Sequence, residues 1–180
     1  PVYLRGERLM RSLLSFWPIV VPPQKRKFSV VELLAGFGKG VLRDGDVLVI
    51  SSKFVAIAEG RVVNLASGRP GIRAGELAAA YRVDRRLCEL ILRESDGILG
   101  GVPGFILAVK DGLLTPNAGI DKSNARHGQV ILYPRRPEAS ARLIRESIQY
   151  VLEVSVGVVV CDSRLSPTRR GTTGVSIAAS

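Results

Sequence analysis

The chain is poor in the residues that carry redox, metal-knuckle and stacking chemistry. Its 180 residues include two cysteines, one histidine, one methionine and one tryptophan, and aromatics make up 6%. Cys88 and Cys161 cannot form a disulfide framework and lie too far apart for a zinc knuckle. Cys88 falls in a helical pattern and Cys161 ends an apolar run, so both read as core thiols. Such cysteine usage favours an intracellular, cytoplasmic setting. The lone histidine, His127, excludes any mechanism needing two imidazoles, and in a loop it reads as a surface residue. Trp17 and the other aromatics show no ladder or cage spacing, so a base-stacking platform is excluded. The longest largely apolar run, 154–161, is too short to span a bilayer. The apolar stretch Leu9–Pro23 follows basic residues, as in a signal peptide. It lacks a small-residue cleavage site and is broken by Pro18, Pro22 and Pro23. It is predicted to be an extended segment packed on the domain.

What is abundant is apolar and basic. Apolar residues make up 46%, mean hydropathy is +0.20 and the net charge is +10. That composition supports a sizeable core in one domain with an appendage. Positive charge attracts nucleic acid, phosphorylated metabolites or acidic peptides; an Arg-rich surface with no partner is the competing reading. The densest clusters, Lys25-Arg26-Lys27, Arg135-Arg136 and Arg169-Arg170, are not interleaved with aromatics, so nucleic acid does not lead.

The patterns alternate between helix and strand. Ser29 is placed to cap a helix bearing Val30, Val31, Leu33, Leu34 and Phe37. Val47–Ile50 reads as a strand buried on both faces, and 54–58 is ambiguous. Strands are expected over 61–65, 98–99, 105–109, 130–132, 156–161 and 175–178, with a hairpin at Asp111-Gly112. Helices are expected near Glu76–Tyr81, after a cap at Asp84, and over Ala139–Glu153 with Leu143, Ile144, Ile148, Val151 and Leu152 on its apolar face. Hairpins beside strand–helix–strand units imply a mixed α/β (α+β) fold. Its sheet should hold parallel and antiparallel pairs with flanking helices.

Three segments could carry chemistry. Asp121 sits among Asn117, Ser123 and Asn124, and Asp162 follows the apolar strand 156–161, with Ser163 next. Carboxylates at the carboxyl ends of buried strands face crevices, and two of them with hydroxyl and amide oxygens suit a hard cation such as Mg²⁺ or Mn²⁺. By residue type alone, turn aspartates capping backbone N–H groups are the commoner case. Ser51-Ser52-Lys53 could hold a phosphate or be a solvated strand end. No Gly-x-x-x-x-Gly-Lys loop is present, and Gly100-Gly101 lacks a dinucleotide pattern. Arg169-Arg170-Gly171 could reach phosphate or carboxylate oxygens, though a solvated loop is the usual case.

Whole segments narrow the choice. Asp44-Gly-Asp-Val-Leu-Val-Ile-Ser-Ser-Lys53, Ala58-Glu-Gly-Arg61 and Ile91-Leu-Arg-Glu-Ser95 resemble, in order and spacing, segments of the coenzyme F420-0 γ-glutamyl ligase family. So do Asn117-Ala-Gly-Ile-Asp-Lys-Ser-Asn124, Pro137-Glu-Ala-Ser-Ala141 with Arg145, Val158-Val-Val-Cys-Asp-Ser163, Arg169-Arg-Gly171 and Gly174-Val-Ser-Ile-Ala178. The resemblance implies a ligase that uses GTP to join L-glutamate to a phosphorylated deazaflavin acid, with divalent cations (Mg²⁺ or Mn²⁺) and a homodimer. Carried over by motif position, Asp121, Asp162 and Ser163 are metal ligands and Ser52, Lys53 and Asn124 touch the nucleotide. No side chain is assigned as a catalytic nucleophile, because positioning and charge neutralisation suffice for phosphoryl transfer.

The departures are specific. Ile57 stands where many members have Lys, and 164–166 is Arg-Leu-Ser where many have a Gly-Arg pair, which points to a different acceptor. The family also continues past the equivalent of Ser180. The expected organisation is therefore an N-terminal segment and first helix over 1–43, then a ligase-like core over 44–180 without the family's C-terminal part. The alternative expectation is a non-catalytic nucleotide- or anion-binding relative, or an inactive fragment of such a ligase.

Overall fold

The structure, a computed structural model, describes residues 14–24, 26–37, 40–123, 125–165 and 170–180, with Leu165 described for its backbone alone. The Ser29 hydroxyl accepts from the Glu32 N–H at 3.2 Å and opens α1 (Val30–Phe37), filling an orphan donor of the first turn. β1 (Val47–Ser51) runs directly into α2 (Ser52–Ala58), so the ambiguous 54–58 stretch is helical. Then come β2 (Val62–Asn64), α3 (Ile72–Tyr81) and α4 (Arg85–Glu94). As expected, Asp84 caps α4, its Oδ1 accepting from the N–H groups of Arg86 (2.8 Å) and Leu87 (3.1 Å). β3 (Gly97–Val102), β4 (Phe105–Lys110) and β5 (Leu113–Pro116) form an antiparallel meander, turning at Asp111-Gly112. β6 (Gln129–Ile131), α5 (Pro137–Leu152), β7 (Gly157–Leu165) and β8 (Thr172–Ala179) complete the described elements.

One of the three sheets among the described residues is mixed, as the element order implied. β1 pairs parallel with β7, and β7 pairs antiparallel with β8; β2 pairs antiparallel with β6. Two cores result. In one, Leu48, Ile50, Val158 and Val160 pack under Ile144 and Ile148 of α5 and Leu34 of α1. In the other, Leu87, Cys88 and Ile91 of α4 pack on Ile106, Ala108, Val130 and Leu132.

Four expectations need correction. β1 is buried on one face: Val47 and Val49 are each 61% exposed, because no described layer covers that side of the edge strand. Leu143 and Val151 of α5 are exposed, and the face that packs is Ala141, Ile144 and Ile148. Cys88 is a core thiol but Cys161 is half-buried. β7 does not stop at Cys161; it continues through Asp162 to Leu165 and turns back as β8, since the ladder offers better backbone pairing than the polar loop the composition favours. In the N-terminal segment, Phe16 and Trp17 are largely exposed and Ile19 packs on the first core. Its residues 9–13 lie outside the described residues.

Two of the family-like segments are structural braces. Arg61 forms an ion pair with Glu94 and donates from Nε to the Tyr133 carbonyl at 3.0 Å. Glu59 accepts from the Arg135 N–H (2.7 Å) and the Ser140 hydroxyl (2.7 Å), holding the start of α5.

Candidate functional site

A cavity of about 740 Å³ opens where the two cores meet. Parallel pairing builds one part of it. Ser51 is in register with Cys161, so Ser52, the first residue after β1, lies beside Asp162, the next residue of β7. Ser52 is buried, and its hydroxyl donates to Asp162 Oδ1 at 2.6 Å. Lys53 forms an ion pair with Asp121 and donates to the Ser123 hydroxyl at 3.1 Å. Two adjacent residues thus hold the two candidate carboxylates, and all of Ser52, Lys53, Asp121, Asp162 and Ser163 line the cavity. Asn124 lies outside the described residues, as does Arg169; Arg170 is exposed.

The loop that presents Asp121 is backbone chemistry of an uncommon kind. Asn117, Ala118 and Gly119 all have positive φ (47°, 53° and 74°), a left-handed turn that L residues adopt at a cost of about 1–2 kcal/mol each. Three features hold it. The Asn117 side chain accepts from the Ile106 N–H at 3.0 Å, Ala118 is fully buried, and the Asp121 N–H and carbonyl both pair with Ile131. Gly119 is required on a second count: a Cβ there would stand 2.5 Å from Tyr133 Cδ2. Strain so firmly braced marks a segment whose shape matters to a site.

The two carboxylates differ in how tightly each is held. Burial alone would raise the Asp121 carboxyl, but the Lys53 ammonium and the Ser123 N–H and hydroxyl outweigh it and hold the group below its ordinary value. The Lys53 and Asp121 side chains are 28% and 30% exposed, so the pair is worth under about 1 kcal/mol and exchanges readily. Asp162 faces Arg164, whose Nε lies 2.9 Å from Oδ2, with side chains only 8% and 18% exposed. Arg164 is locked in turn. It donates to the Leu114 carbonyl (2.9 Å), to the buried Thr115 hydroxyl and to Tyr133 Oη (3.3 Å). Burial pushes the Tyr133 phenol up to about 12, so it stays neutral. Sequence reasoning missed Arg164. Its signal was alternation: within a strand, residues two apart share a face, so extending β7 by three residues puts Arg164 beside Asp162.

The donor set fits a hard divalent cation. It offers two carboxylates and hydroxyls, all oxygen. Among the described residues no cluster of three or more His, Cys, Asp or Glu could hold a metal unaided, so a cation here would complete its shell with phosphate and water, as Mg²⁺ does. No helix among the described residues is long and apolar enough to cross a membrane.

The profile of F420-0:Gamma-glutamyl ligase matches residues 19–180. The chain belongs to this family. It is 41% identical over 140 residues to the coenzyme F420:L-glutamate ligase of Methanopyrus kandleri, covering 77% of this chain and 56% of that protein. The protein of the same name from Archaeoglobus fulgidus is 37% identical over 134 residues, covering 74% and 54%. That from Methanothermobacter thermautotrophicus is 32% identical over 161 residues, covering 89% and 64%. The chain thus spans a little over half the length of the curated relatives it matches. The family match extends the resemblance N-terminally to residue 19, across α1 and the segment before it.

Proposed function

We propose that this chain carries the phosphate- and metal-binding part of a GTP-dependent ligase that joins L-glutamate to a phosphorylated deazaflavin acid. Two things support the reading: membership of the family, and the paired links Ser52–Asp162 and Lys53–Asp121 within one cavity. Asp121, Asp162 and Ser163 would hold Mg²⁺ or Mn²⁺, which when bound neutralises charge on the transferring phosphoryl group. Lys53 would turn from Asp121 to phosphate oxygens, freeing a carboxylate oxygen, and the low worth of that exposed pair makes the exchange cheap. Ser52 and Arg164 would keep Asp162 oriented throughout. Asn124 completes the proposed nucleotide contacts.

The chemistry then needs no side-chain nucleophile. A carboxylate oxygen of the acid attacks the γ-phosphorus as the bond to the β-bridging oxygen breaks, giving an acyl phosphate and GDP. The glutamate amine attacks the acyl carbon, phosphate departs, and the amine loses its proton. A homodimer and a cytoplasmic setting accompany the reading.

Titration calorimetry with GTP and Mn²⁺ tests it. Asp121→Asn should weaken Mn²⁺-dependent GTP binding about tenfold or more, as loss of a charged contact does. Wild-type affinity in that variant would sink the site assignment. One observation favours a second reading. Ile57 is buried with Ala56 and Ile131 and offers the nucleotide no polar group. Metal-dependent GTP binding without glutamate-dependent phosphate release would make the protein a nucleotide-binding relative.

A further inference from the structure

Two cationic residues of the cavity, Arg82 and Lys122, lie outside the set proposed for the metal and the nucleotide. The first stands where α3 gives way to α4. Arg82 follows α3 in the left-handed conformation, φ 52° and ψ 41°, where glycine is the usual residue. The Gly104 N–H donates to the Tyr81 carbonyl at 2.6 Å, fastening the β3–β4 turn over that helix end. Arg82, Gly104 and Lys122 all line the cavity.

The lining carries Lys53, Arg82 and Lys122 against Asp84, Asp121 and Asp162, and Arg164 behind Asp162 adds one further cation. Each lining carboxylate is occupied: Asp121 by Lys53, Asp162 by Arg164 and Ser52, Asp84 by the first N–H groups of α4. Arg82 and Lys122 are exposed, and neither side chain forms a hydrogen bond or ion pair with another described residue. Lys122 lines the same cavity as Leu87 of α4. Burial is the main influence raising the Cys88 thiol, Asp84 adds to it, and the Lys122 ammonium acts against both. The same lining includes the apolar Val83 and Leu87, 9% and 3% exposed. Two exposed cations in a cavity that also has an apolar lining match a small dianion with a methylene stem.

We propose that Arg82 and Lys122 form an oxyanion subsite that binds the carboxylates of the amino-acid co-substrate, apart from the Lys53–Asp121–Asp162 cluster. The assignment of the oxyanion to a co-substrate rests on the ligase reading. The subsite places the amine donor in the same cavity as the phosphoryl-transfer groups and gives a dicarboxylic amino acid preference over a neutral one. It also accounts for an arginine where glycine relieves backbone strain.

Calorimetry on the full chain decides it, with L-glutamate, inorganic phosphate and Mn²⁺·GTP as separate titrants. Arg82→Gly and Lys122→Met should each weaken L-glutamate binding about tenfold or more, and Arg82→Lys should restore part of it. Mn²⁺·GTP affinity should stay unchanged, and the melting temperature of Arg82→Gly should stay level or rise, a result that loss of a structural arginine does not give. Unaltered L-glutamate binding in both variants overturns the subsite, as does absence of L-glutamate binding to the wild type. Loss confined to inorganic phosphate overturns the carboxylate assignment and gives the subsite to a phosphate of the acid substrate. Absence of Mn²⁺·GTP binding in the wild type overturns the ligase reading while the L-glutamate result still judges the subsite.

Discussion

Gly119→Ala tests whether the left-handed turn is held by the packing described. The new Cβ would stand 2.5 Å from Tyr133 Cδ2 and 3.3 Å from Thr115 Cγ2. Tyr133 cannot retreat freely, because it is buried and its hydroxyl accepts from Arg164. Two penalties therefore add: about 1–2 kcal/mol for an L residue at φ 74° and about 1–3 kcal/mol for overpacking. The expected loss is about 2–5 kcal/mol, a large share of the roughly 5–15 kcal/mol by which domains are stable. Gly112→Ala separates the two terms, since φ there is 71° and nothing lies within 4 Å of its Cβ; it should cost about 1–2 kcal/mol. Urea denaturation of both variants at neutral pH reads the difference. Gly119→Ala within about 0.5 kcal/mol of Gly112→Ala would refute the steric argument. A secondary readout follows from connectivity. A displaced Tyr133 ring loosens Arg164 and hence Asp162, so Mn²⁺ binding should weaken in Gly119→Ala and stay unchanged in Gly112→Ala.

The other expectations concern charge. Arg61→Met leaves Glu94 largely buried without its cation and should cost about 3–5 kcal/mol; adding Glu94→Gln should recover part of that, and a double variant no better than the single would contradict the pairing. The pH dependence has two limbs. Asp121 is held below 3.8 in the fold, so its contribution is present above pH 3.8 and is lost as pH falls through the lower folded value. Tyr133 is raised from 10 to about 12, so its contribution is full below pH 10 and is lost as pH rises through about 12. Urea midpoints across pH measure both limbs, and Tyr133→Phe should remove much of the alkaline one.

Much of the site was legible in the chain because local chemistry writes it. Asp84 announces a helix cap, Ser29 another, and Asp111-Gly112 a hairpin, whereas the run of positive φ at Asn117-Ala-Gly was not read from the sequence. Asp121 and Asp162 could be picked out as oxygen ligands by type. Their weight was not legible, since turn aspartates look the same and only the ordered series of segments ranked them higher. Arg164 was hidden by ending β7 at the last apolar residue, when the ladder with β8 carries polar residues onward through Asp162, Ser163 and Arg164.

The sequence by itself determined most of the elements and the mixture of parallel and antiparallel pairs, because these follow from periodicity and capping, and the ordered series of segments carried the family. Tertiary structure decided how the site residues are paired. Parallel register between β1 and β7 sets Ser52 on Asp162 across 110 positions, and the pinned turn brings Asp121 to Lys53. It also set the Lys53–Asp121 pair closer to solvent than the Arg164–Asp162 pair. Periodicity could not reveal the cationic pair Arg82 and Lys122, which exists only where a helix end and a distant loop face one cavity.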